Sequence, residues 1–146
     1  MRGCRLPFAL NMTKRFLTLT AILEAATGLG LIAVPAIVVR LLLGAEISGA
    51  SIPLGRIAGA ALLALGIACW LARDDSQSRA ARGLVVAMLM YNIPATAVLA
   101  FAGIALGLHG VALWPAVALH AVMAVWCITT LLRTQAAAQH NNKASE

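Results

Sequence analysis

Glu24 lies inside an apolar run, Phe16 to Val39, that holds no other charged side chain. A carboxylate at that depth in hydrocarbon must be protonated, paired with a cation or put to use. Thr20 stands four residues before it and Thr27 three after it, with Gly28 beside them, so helical spacing predicts one polar face turned toward protein rather than lipid. In a later run Asn92 and Thr96 share a face, Tyr91 is adjacent, and Pro94 removes the amide that would have bonded the carbonyl of Met90. In the last run His120 sits among small residues, with Ala116, Ala124 and Cys127 on roughly its own side. A carboxyl group taken out of water holds its proton, and an imidazole exchanges one near neutrality, so Glu24, Asn92 and His120 form a candidate proton- or ligand-binding set. The structural alternative is a permanently neutral Glu24 that hydrogen-bonds across helices, for about 1 kcal/mol, and a satisfied core histidine. One histidine with one carboxylate is too small a donor set for zinc or haem, so no metal ligand or catalytic residue is assigned and the cofactor is unknown.

The elements that must position these residues are membrane helices. The chain is 62% apolar and 11% charged, with a mean hydropathy of +0.91, against about 45–50% and about 25% in soluble domains. No Asp, Glu, Lys or Arg occurs between Arg82 and Arg133, a stretch too long for one crossing of about 30 Å and long enough for two. Gly107-Leu108-His109-Gly110 supplies the turn between them. The runs are apolar all round and far longer than barrel strands, which predicts an all-α, integral-membrane, four-helix up-down bundle with spans near 16–39, 53–72, 83–106 and 111–132. Short connections are expected to make spans two to four antiparallel neighbours. Leu41-Leu42-Leu43 should lie in the interface, and 134–146 reads as a flexible polar tail. Residues 1–11 read as an extension ahead of a natural start at Met12, because Lys14 and Arg15 already stand before the first span; that span exceeds a signal-peptide core and has no Ala-x-Ala site, so it is read as retained.

A net charge of +6 raises the possibility of a nucleic-acid partner. The positive-inside rule accounts for it instead: with both termini cytoplasmic, all 11 Lys and Arg except Arg40 and Arg56 fall inside. No basic helix or aromatic platform supports nucleic-acid binding. Cys4, Cys69 and Cys127 form no Cys-x-x-Cys pair and read as packing thiols. Gly55-x-x-x-Gly59 with Gly66, and Gly103-x-x-x-Gly107, allow close helix approach, chiefly within the chain and alternatively in a homo-oligomer. At 1.5 Å per residue Glu24, Asn92 and His120 lie about 12, about 13 and about 18 Å from the cytoplasmic boundary, with Arg56 roughly 15 Å higher than Glu24. A Glu24, Asn92 and His120 cluster is therefore preferred to a Glu24 to Arg56 ion pair, which needs tilt or snorkelling. Trp70 and Trp114 read as interfacial anchors at opposite span ends.

The sequence Gly28-Leu29-Gly30-Leu31 to Pro35 and Leu43-Gly44, then Arg56-Ile57-Ala58-Gly59 through Leu65-Gly66 to Trp70-Leu71-Ala72-Arg73, resembles the DoxX-like superfamily of small four-span bacterial membrane proteins. The resemblance covers about Thr13 to Arg133, with Asn92 and His120 fitting its layout. It implies an inner-membrane accessory subunit or small lipophilic-ligand-binding bundle rather than an enzyme, with the lipid bilayer and a membrane complex or second copy as partners. Some members are linked to quinol oxidation or thiol stress, but this chain lacks the paired cysteines a redox role of its own would need. Ala21-Ile22-Leu23-Glu24 is also similar to the first-helix segment of small multidrug-resistance transporters, which implies Glu24 exchanging protons for a lipophilic cation; the aromatic box of that family is missing here. The membrane-bound glutathione and eicosanoid enzymes share the size, but their second-helix motif is absent.

Overall fold

The computed structural model describes residues 5–143 and is all-helical over them. Its five helices are α1 (Arg5–Ala33), α2 (Pro35–Leu43), α3 (Ser51–Ala72), α4 (Arg79–Ile104) and α5 (Leu113–Lys143). Cys4 lies outside the described residues. Four of the helices contain segments long and apolar enough to cross a membrane: Asn11–Ala33, Ser51–Ala72, Arg79–Ile104 and Leu113–Ala136. Their outward faces carry apolar side chains such as Ile57, Leu71, Val98, Ile104 and Val122, all exposed. That is the surface a lipid solvent requires and water does not, and the protein is a multi-pass membrane bundle.

The first apolar run is two helices rather than one span over 16–39. Val34 precedes a proline, which disfavours helical backbone there, and it adopts φ −138° and ψ 59° before Pro35 opens α2. Gly44 closes α2 in the left-handed conformation at φ 70°, its amide bonded to the carbonyl of Arg40 at 2.8 Å. Leu41 to Leu43 thus belong to a short helix tied to the α4–α5 turn, where the Ala112 amide bonds the Leu41 carbonyl at 2.9 Å. At the other end, α5 continues as helix to Lys143, so the segment read as a frayed tail is helical over most of its length. Lys14 on α1 pairs with Asp74 after α3 at 2.7 Å, and Arg133 on α5 reaches the Met12 sulfur at 3.1 Å. These contacts gather the start of the first span, the α3–α4 loop and the end of the last span at one basic pole.

Helix pairing follows small residues rather than loop length. α1 packs most extensively on α3 and α4 on α5, while α3 and α4 touch little despite their short connection. A Cβ on Gly28 would lie 2.6 Å from the Gly59 carbonyl oxygen, and one on Gly66 2.9 Å from the Ala25 amide nitrogen. The glycine face of α3 is therefore spent on α1, inside the chain. Phe16, Leu17, Ala21, Cys69, Val85, Met88, Met123 and Cys127 close the core toward the basic pole, with the Phe16 ring edge-on to Trp126 at 5.7 Å.

Candidate functional site

The α1–α3 contact sets the position of Glu24. Gly28, one turn along, and Ala25, which faces Gly66, hold this part of α1 against α3, so Glu24 is turned inward and only 7% exposed. Ala21, one turn before it, belongs to the same core cluster as Cys69, and Tyr91 packs against that cluster. Among the described residues the Glu24 carboxyl group makes no hydrogen bond or ion pair. Thr20, one turn away, is fully buried, and its hydroxyl also has no partner.

On the other hairpin, Asn92 is 1% exposed and bridges α4 to α5. Its Nδ2 donates to the Met88 carbonyl at 2.8 Å, and its Oδ1 lies 2.8 Å from His120 Nδ1. Because the amide nitrogen is committed to a carbonyl, Oδ1 is the acceptor and Nδ1 carries the proton, which leaves Nε2 of a neutral His120 as an acceptor. Thr96 donates to the Asn92 carbonyl at 2.8 Å, and the Tyr91 ring stands edge-on to His120 with centroids 5.5 Å apart. Tyr91 therefore borders His120 and packs on the core that Glu24's helix helps to form.

The structure brings Asn92, His120 and Tyr91 together and places Glu24 and Thr20 on the facing hairpin. Glu24 makes no hydrogen bond to Asn92 or His120 among the described residues. Thr27 is exposed and leaves the site: the buried stripe of α1 runs through Thr20, Glu24 and Gly28 at four-residue spacing, which rolls position 27 outward. Arg56 is also exposed and unpaired with Glu24. It lies toward the opposite pole from Gly66, the residue level with Ala25, by about 15 Å of helix. Sequence reasoning misses Cys69 as a member of the same core cluster as Ala21, although Gly59, Gly66 and Cys69 fall on one face of α3 and the first two signal a close partner. The buried, unpartnered Nε1 of Trp126 carries no sequence signal.

The arrangement offers chemistry for binding or proton exchange: a carboxyl group without a partner among the described residues on one helix pair, and a tautomer-locked imidazole with a phenol beside it on the other. Among the described residues no three His, Cys, Asp or Glu side chains group to hold a metal ion. No protein-family model, curated protein or solved structure matches this chain.

Proposed function

We propose that the protein is an accessory bundle of a bacterial inner membrane that binds a small lipophilic ligand by its polar head in the layer of Glu24, Tyr91, Asn92 and His120. The observation that carries this reading is Glu24, a residue only 7% exposed inside a membrane span, whose carboxyl group has no hydrogen bond or ion pair among the described residues. A polar group out of water and unbonded costs about 1–3 kcal/mol, which a ligand that accepts its hydrogen bond would recover. His120, donating through Nδ1 to Asn92, offers its other nitrogen to a ligand hydroxyl. The head that fits is one that both accepts and donates, as a quinol or a hydroxylated lipid does. A DoxX-like bundle of this kind would work beside a larger membrane partner or as a homo-oligomer, with the basic pole and both termini in the cytoplasm. The proton-coupled transporter alternative uses the same unpartnered carboxyl group, exchanging its proton for a lipophilic cation.

Extraction of the full chain in native nanodiscs, followed by mass spectrometry of the retained small molecules, tests the proposal. A stoichiometric non-bulk lipophile is expected in wild type and lost in Glu24→Leu, while Glu24→Gln keeps the fold and loses both the protonated-carboxyl infrared band and carbodiimide labelling. Efflux of a lipophilic cation that stops in Glu24→Gln would select the transporter. A wild-type extract with bulk lipids only, together with unchanged growth and efflux in Glu24→Gln, would make Glu24 structural.

A further inference from the structure

A second polar cluster lies at the basic pole, away from Glu24 and unused by the ligand layer. A cavity of about 230 Å³ opens between the ends of α1, α4 and α5, with Thr13, Ser76, Ser78, Arg79, Arg82 and Thr130 in its wall. Ser78 caps α4 with extended backbone, and its hydroxyl accepts the Ala81 amide at 3.0 Å. This leaves the first two amides of a 26-residue helix, those of Arg79 and Ala80, without an acceptor among the described residues, at the end where the helix dipole is positive. Arg79 and Arg82 are exposed and form no ion pair among the described residues. Of the two carboxylates in the α3–α4 loop, Asp74 is taken up by Lys14 at 2.7 Å and Arg73 at 3.5 Å, and Asp75 is exposed; neither is in the cavity wall.

The independent observation is Thr130. It is 4% exposed, lines the cavity, and its hydroxyl has no hydrogen-bond partner among the described residues. Helical threonines ordinarily bond back to a carbonyl of the preceding turn. Here the hydroxyl of the adjacent Thr129 takes the Trp126 carbonyl at 2.9 Å. A buried hydroxyl with a donor to spare, the free amide of Arg79 in the wall and two guanidinium groups make a set of donors without acceptors among the described residues, and a tetrahedral oxyanion supplies several acceptors at once.

We propose that this cavity binds a phosphate-class anion. Its wall includes the first turns of the α4 span and the last turns of the α5 span, Arg79–Ile104 and Leu113–Ala136. That is the depth of phospholipid headgroups, so the phosphate can arrive on an anionic lipid or as the free ion.

The full chain in phosphatidylcholine nanodiscs is titrated in one arm with phosphatidylglycerol and in another with inorganic phosphate, with native mass spectrometry and phosphorus NMR as readouts. One phosphate-bearing ligand per chain is expected. The double variant Arg79→Gln/Arg82→Gln should weaken it about thirty-fold, the effect of two basic contacts near an anionic surface. Thr130→Val removes the hydroxyl without changing shape or charge and should weaken it about five-fold, which general attraction to a basic surface would not reproduce. The pair Arg40→Gln/Arg56→Gln, at the opposite pole, should change nothing. Retention of the lipid in the presence of millimolar phosphate assigns the headgroup; saturation by phosphate with no selective lipid retention assigns the free ion. The proposal is overturned if neither ligand binds at one per chain, if Thr130→Val matches wild type, or if the opposite-pole pair weakens binding as much as Arg79→Gln/Arg82→Gln.

Discussion

Alanine at Gly59 should force α1 away from α3. A methyl group there would lie 2.6 Å from the Gly28 carbonyl oxygen, 2.8 Å from Leu31 Cβ and 2.9 Å from the Ile32 amide nitrogen. Ordinary contact starts at 3.4 Å, so the worst overlap falls short by about 0.8 Å, against backbone atoms that cannot rotate aside. Relief requires the helices to separate by a comparable distance, and a gap of about 0.5–1 Å forfeits roughly a quarter to a half of each dispersion contact along the interface. Overpacking of this kind costs about 1–3 kcal/mol. Alanine returns about 0.8–1 kcal/mol of helix propensity, which leaves a net loss of up to about 2 kcal/mol, with the upper end expected because the clash is against backbone. A methyl group on Gly83 would meet nothing within 4 Å, so Gly83→Ala should reverse the sign and gain up to about 1 kcal/mol. Tryptophan-fluorescence unfolding in mixed micelles at increasing denaturing detergent measures both. Separation at Gly59 should also loosen the neighbouring Glu24 layer and raise carbodiimide labelling of Glu24. A Gly59→Ala protein as stable as wild type, or a Gly83→Ala protein destabilised to the same degree, refutes the reasoning.

Asn92→Leu should destabilise the α4–α5 hairpin by about 1–3 kcal/mol, because His120 Nδ1 loses its buried acceptor; nitrogen-15 NMR of the ring should show the Nδ1-protonated tautomer in wild type and a mixture in the variant. The Lys14 ammonium, bonded to Asp74, holds that exposed carboxyl below the usual aspartate range. A depressed folded-state value means that the contribution of the pair is present above the unfolded aspartate range and fades as pH falls through the folded value; Lys14→Met should raise the Asp74 carbon-13 titration midpoint toward the ordinary range, with Arg73 still holding it down in part, and salt should act in the same direction. With the basic pole cytoplasmic, reporters inserted within Ser48 to Ser51 and fused after Arg133 should report opposite sides of the membrane, and a C-terminal reporter active only outside would invert the orientation.

Composition alone settled the solvent of this protein and the helical class of its fold, since a lipid-exposed backbone must satisfy its own hydrogen bonds and the runs are too long and too uniformly apolar for strands. The turn at Gly107, with φ 65°, and the polar residues to suspect in each span were legible for the same reason: in an oily run every glycine and every polar group stands out. Pro35 was visible too, yet hydropathy carried the first span past it, because a break in the backbone does not interrupt an apolar run. What the sequence could not state was which way each helix faces. In water an apolar stripe marks the buried side, but lipid tails and protein interior are equally apolar, so a helix that is oily all round gives no direction. Backbone contact at Gly28, Gly59 and Gly66 decided it. That contact turned Thr27 outward, turned Glu24 inward without a hydrogen bond among the described residues, and left α3 little surface for α4. Assembly of three helix ends at one pole likewise created the cavity lined by Thr130, whose hydroxyl has no partner among the described residues while that of its neighbour Thr129 bonds the Trp126 carbonyl.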